Sequence, residues 1–264
     1  TLDIDTSSIG GNLTLISGHA SGITDSGNVT VGGNLVATTN AGNGVINMDT
    51  LRVDGTVALT TNGNGAATVV NDNGLTFAAS TVRGALTATA TAGNITQDAA
   101  VAVTGTSSFT TRASDGTITL SNTGNAFASA VTLSTTGSTA HATIDNGTTT
   151  LDIDTSSIGG NLTLISGNAS GITDSGNVTV GGNLAATTNA NDGVINMGTL
   201  RVDGTVALTT NGNGAATVVN DVGLIFAAST VRGALTATAT TGDITDSRSE
   251  ERRVGNECRS RRSP

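Results

Sequence analysis

Residues 1–96 of this chain recur as residues 150–245, an offset of 149, with nine substitutions across the ninety-six positions. His19 becomes Asn168, Asp49 becomes Gly198, Asn73 becomes Val222 and Thr76 becomes Ile225. Such repetition restricts the fold more than composition does, because tandem near-copies are the signature of repeat architectures. A weaker repeat halves the unit. Residues 2–17 (LDIDTSSIGGNLTLIS) align with 75–90 (LTFAASTVRGALTATA), and 28–48 with 100–120, at an offset of 72 to 73. The chain thus reads as near-equal units, 2–74, 75–150 and 151–223, with a partial fourth at 224–247.

A third period lies inside the unit. Strand-like runs at 13–17, 35–39 and 57–61 recur at an offset of 22, and similar runs follow at 86–91, 109–111 and 131–135. Each unit is expected to hold about three turns, with a coil length of roughly two dozen. The runs alternate by twos. In Leu86-Thr87-Ala88-Thr89-Ala90-Thr91 the threonines share one face, and in Val29-Thr30-Val31 the valines share the other. Period two with β-branched residues marks half-buried strands. Between the runs stand Asn-Gly and Asp-Gly pairs, at 62–65, 73–74 and 115–116, whose residues reach the positive φ of tight corners. No window shows a helical period.

Strands, coils near two dozen residues and Gly/Asn corners predict an all-β fold, a parallel β-solenoid of about ten coils. At about 4.8 Å per rung that is a rod on the order of 50 Å long. The alternative is a string of small immunoglobulin-like sandwiches. Those domains run longer than one unit of this chain and use a buried aromatic, and this chain has four Phe with no Trp or Tyr. The lumen is expected to be narrow and filled by small aliphatic side chains.

Residues 248–264 (RSEERRVGNECRSRRSP) break the pattern. They hold the only Glu, Cys and Pro and six of the eleven Arg. The segment resembles the conceptual translation of a sequencing adapter, differing at Asn256 and Arg262, and is expected to be a non-native, disordered tail on a fragment of a longer protein. Residues 1–247 then carry five Arg, no Lys and seventeen Asp, a net charge of −12. An acidic body without Lys is a poor partner for nucleic acid or an anionic membrane. No run has the length of a membrane span, so no insertion of this segment is expected.

The segments 10–39 (GGNLTLISGHASGITDSGNVTVGGNLVATT) and 93–111 (GNITQDAAVAVTGTSSFTT) resemble the repeats of large bacterial exoproteins of the filamentous-haemagglutinin type. The resemblance covers essentially all of 1–247 and rests on composition and turn placement, with no catalytic signature. It implies a right-handed parallel β-helix, secretion through an outer-membrane transporter, a place on the cell surface, and an adhesin's partners, a receptor or glycan on a host or neighbouring cell.

Catalytic and cofactor chemistry has little footing. His19 is Asn168 in the near-copy and His141 aligns with Ala67, so neither is expected to be catalytic or metal-binding, and without a histidine partner the Ser and Thr are not triad nucleophiles. Asp3 with Asp5, and Asp152 with Asp154, lie two apart and would share a strand face, the arrangement that carboxylate pairs use for glycoside hydrolysis or weak calcium binding. Residues 71–74 (NDNG) read as a turn with cation-compatible oxygens. The Gly-rich stretch 62–65 lacks the Lys and helix of a phosphate loop. Asn-x-Thr triplets at Asn12, Asn28 and Asn94 read as corner Asn followed by strand Thr. No catalytic, metal or cofactor residue is therefore assigned. The expected function is a non-enzymatic stalk segment of a secreted adhesin. Two alternatives stand beside it: a polysaccharide lyase or hydrolase on a β-helix, and an ice-binding solenoid. The last needs the Thr ladder of 87, 89, 91 and of 236, 238, 240 to continue on successive coils, and the neighbouring runs interrupt it.

Overall fold

The computed structural model describes residues 1–247; the tail read from the sequence, 248–264, lies outside the described residues. The described chain is all-β, without a helix, and every strand pairing is parallel. It winds as a β-solenoid of about 12 turns, with strands in a 16-stranded and a 15-stranded sheet. Each coil lays one long or two short strands on the first sheet and then the same on the second. In the first coil these are Leu2–Ile4 and Ser7–Ile9, then Leu13–Ser17.

Twelve coils fit where ten were expected because the coils run slightly short. Paired residues in adjacent coils are separated by as few as 19 positions (Ala67 and Leu86) and as many as 24 (Ser107 and Val131). The series at an offset of 22 is real at its start, with Leu13, Leu35 and Val57 stacked in register on the second sheet. The runs at 86–91, 109–111 and 131–135 then continue it on the opposite face, since they pair within the first sheet. The half-unit is the reason. Leu2 lies in the first sheet of the first coil, and its counterpart Leu75 lies in the second sheet of the fourth. One half-unit therefore winds three and a half coils, not three, and successive half-units face opposite ways. The full offset of 149 winds seven coils and returns to the same face, so that Leu2 pairs with Ile23 as Leu151 pairs with Ile172.

The lumen holds one continuous apolar cluster. Inward columns such as Ile23, Ile46, Ala67 and Leu86 are almost wholly buried. It is not filled by aliphatics alone. Phe77, Phe109 and Phe127 are fully buried and meet edge to face, with ring centroids 6.2 and 5.5 Å apart. The half-unit alignment shows how room is made: Leu35 and Ala37 correspond to Ser107 and Phe109, a large–small pair exchanged for a small–large one at nearly constant volume.

Two buried polar devices close the coils. Thr39, Thr61, Thr111, Thr135, Thr188 and Thr210 sit buried beside the corners. Each hydroxyl donates to a carbonyl four or five residues on, at 2.6–3.0 Å. Where a coil is short, a buried Asn takes the place of missing backbone. Asn71 Oδ1 accepts the Val53 N–H at 2.7 Å, while Nδ2 donates to the Val53 carbonyl at 3.0 Å and the Gly74 carbonyl at 2.6 Å. Asn220 repeats this with Val202 and Gly223. Asn146 repeats it with Phe127 and Thr150 on the other sheet. At Gly22 and Gly171 the backbone turns at φ +73° and +68°, and a Cβ there would collide with the Val45 and Val194 carbonyl oxygens. Only glycine fits these corners.

Candidate binding groove

Concavity on the rod's flank begins with a bulge. Along strand Ile46–Val53 the register slips between Met48 and Leu51, which leaves Asp49 and Thr50 standing exposed above the sheet. The carboxylate of Asp25, one coil earlier, holds that bulge in place, accepting the N–H groups of Asp49 and Thr50 and the Thr50 hydroxyl, all at 3.0 Å. Below it Thr30 and Arg52 lie side by side on paired strands, and Asp72 and Thr91 form the far wall. The result is a groove of about 370 Å³.

Arg52 lies across this groove. Its Nε is 3.7 Å from Asp54 Oδ1 and its Nη1 4.0 Å from Asp72 Oδ2, with all three side chains about half exposed. Contacts of that length are charge pairs more than hydrogen bonds, and at the surface they add little stability. What they do is aim a guanidinium between two carboxylates. Seven coils on, a groove of about 290 Å³ repeats the arrangement, with Arg201 at 3.5 Å from Asp203 and 3.9 Å from Asp221, and Asp174 holding Gly198 and Thr199. The two differ at the rim, where Asp49 is replaced by Gly198, and in Arg112, which lines only the first.

The residues weighed from the sequence are placed elsewhere and individually occupied. His19 Nδ1 accepts the Ser21 N–H at 3.0 Å, as Asn168 Oδ1 accepts that of Ser170 at 2.9 Å. The imidazole nitrogen does the amide's work in a turn. Asp3 accepts the Thr24 hydroxyl, whereas Asp5 lies beyond the strand and caps the N–H of Thr6. Asp152 and Asp154 divide likewise between Thr173 and Thr155. The expectation of carboxylate pairs on shared strand faces is thus corrected, because each strand ends before its second Asp. Nor is 71–74 a simple turn of available oxygens, since Asn71 points inward and Asp72 faces Arg52. Among the described residues no three His, Cys, Asp or Glu side chains gather as metal ligands. Asn12 and Asn94 do sit at corners, accepting the N–H groups of Asn34 and Thr117 from the next coil.

The threonine ladder extends further than the runs suggest. Strand register places Thr68, Thr87, Ser108 and Thr132 in one outward file, and Val70, Thr89, Thr110 and Ser134 in the next. The groove was not singled out from the sequence. Its one linear signal is the Arg-x-Asp at 52–54 and 201–203; Asp72 and Asp221 join it only through the coil above.

A family model described as repeats of unknown function (DUF5649) matches residues 63–134 and 213–250. The first match spans one half-unit of three and a half coils, and the second begins at the corresponding corner of the near-copy. No curated protein and no solved structure matches the chain.

Proposed function

We propose that residues 1–247 are a rod segment of a secreted bacterial surface protein, an adhesin stalk without catalytic function that holds other parts of the protein away from the cell. The observation that carries this reading is where the two near-copies differ. His19, Val36, Gly42, Asn43, Asp49, Asn73, Ala92 and Asn94 are exposed, Thr76 is half-buried, and none of the nine varying positions lies in the lumen. Substitution is tolerated wherever it leaves coil stacking alone, which is what a spacer requires. Secretion through an outer-membrane transporter suits a solenoid, since each arriving coil can stack on the last by local contacts. Protease shaving of intact cells that carry the gene tests the placement. Peptides from 1–247 are expected in the supernatant before lysis; their release only after lysis would refute a surface location. Turnover of any member of a polysaccharide panel by the purified chain would refute the stalk reading.

A further inference from the structure

We propose that the Arg52 and Arg201 grooves are two copies of one subsite for a neutral, hydroxyl-rich glycan chain lying along the rod. This deepens the surface-stalk reading and rests on it for its setting. On the groove floor Val29–Val31 pairs with Leu51–Val53, and Val178–Val180 with Leu200–Val202, while Asp25 and Asp174 hold the N–H groups of the bulge, so a ligand is offered mainly side chains. Those side chains are a guanidinium fork, carboxylates and Thr hydroxyls. Donors and acceptors alternate within one short stretch. Sugar hydroxyls, which donate and accept at once, complement that set.

Charge decides the class of glycan. Each guanidinium faces two carboxylates, at 3.7 and 4.0 Å in one groove and 3.5 and 3.9 Å in the other. Carboxylates outnumber cations at both sites, Asp49, Asp54 and Asp72 against Arg52 and Arg112 in the first and Asp203 and Asp221 against Arg201 in the second, so a uronate or sialylated chain is repelled. The long ion-pair distances leave the fork's N–H groups free to shorten onto a hydroxyl without breaking a strong bond. Rigidity comes from below, through the Asp25 and Asp174 carboxylates that pin the bulge walls. No aromatic ring lines either groove, so one subsite lacks a stacking platform and binds weakly alone. The second copy answers this. Seven rungs at about 4.8 Å place it roughly 34 Å along the same face, and a chain long enough to bridge both gains avidity.

The test uses the full chain, labelled at arginine Nε, with linear glucans, galactans and mannans. Each is supplied as a tetrasaccharide and as a fragment longer than the groove spacing, with polygalacturonate as the anionic comparator. At least one long neutral glycan is expected to shift the Nε–H signals of Arg52 and Arg201 but not those of Arg83 and Arg232, and to bind at least about tenfold more tightly than its tetrasaccharide. Arg52→Ala or Arg201→Ala alone should erase the length advantage. The double variant should not bind, with unchanged circular dichroism and Tm. Unmoved signals with every neutral glycan, tighter binding of polygalacturonate, or full binding by the double variant would overturn the proposal. None of these results would bear on surface exposure, which the shaving experiment reads separately.

Discussion

His141 Nδ1 accepts the backbone N–H of Asn161 at 2.8 Å, and Asn161 Oδ1 accepts that of Asn183 one coil later at 2.9 Å. The histidine heads a ladder of corner side chains in which each coil's Asn receives the next coil's amide; Asn183 passes it on to Thr205 at 2.8 Å. What matters at this position is an acceptor at the right reach, and imidazole supplies it as well as an amide. The only other histidine, His19, does the same job in a turn. Both are thus accounted for by backbone satisfaction.

His141→Asn should therefore leave stability within about 0.5 kcal/mol of the parent, while His141→Ala strands the Asn161 N–H and should cost about 1 kcal/mol. Urea unfolding of the two variants checks this. Equal losses in both would show that the ring, and not its acceptor, is what the corner needs.

Asn146 is fully buried and bonds both backbone groups of Phe127. Asn146→Leu would fill the space but deprive the Phe127 N–H and the Phe127 and Thr150 carbonyls of their side-chain partner. A loss of about 2–5 kcal/mol is expected, at the high end for single substitutions. Hydrogen exchange should report faster exchange at the Phe127 amide first.

Ser107 Oγ is buried without a hydrogen-bond partner among the described residues. It stands in an inward column between Leu86 and Val131, where its half-unit counterpart is Leu35. Removing an unsatisfied hydroxyl recovers its desolvation cost, so Ser107→Ala should be neutral or stabilising by up to about 1 kcal/mol. A thermal melt showing clear destabilisation would mean that the hydroxyl has a partner.

Val57 is wholly buried on the second sheet, and Thr60, three residues on, faces solvent. Val57→Asp buries an unpaired charge in an apolar lumen and should cost several kcal/mol, whereas Thr60→Asp should stay below about 1 kcal/mol. Equal effects would invert the assigned strand faces.

Asp115 turns the corner at φ 62° and accepts the Thr139 N–H at 3.0 Å. The backbone bond from Thr139, aided by the Thr139 side chain, holds its carboxyl below the ordinary aspartate range. A lowered folded value contributes stability that is present above the unfolded pKa and is lost as pH falls through the folded one. Carboxyl-carbon NMR should show Asp115 titrating at lower pH in the folded chain than in urea. Thr139→Pro, which removes the N–H, should bring the two together.

Strand, corner and inward face were legible along the chain because they are local properties. A period of two separates Val57 from Thr60, and Gly or Asn marks each corner. The ion-paired groove was not legible, since Arg52 meets Asp72 only when one coil lies on the next. The same limit hid the half-coil. Alternation of apolar and polar residues is identical on the two sheets, so nothing in residues 75–77 says that they face away from residues 2–4. Which sheet a run joins depends on the summed length of the coils before it. That length is set by bulges such as Asp49-Thr50 and by the backbone-mimicking amide of Asn71, whose partner Val53 lies about one coil away. Pattern alone therefore determined that this chain stacks coils. Tertiary contact across each coil decided how many there are, which way each half-unit faces, and where its charges meet.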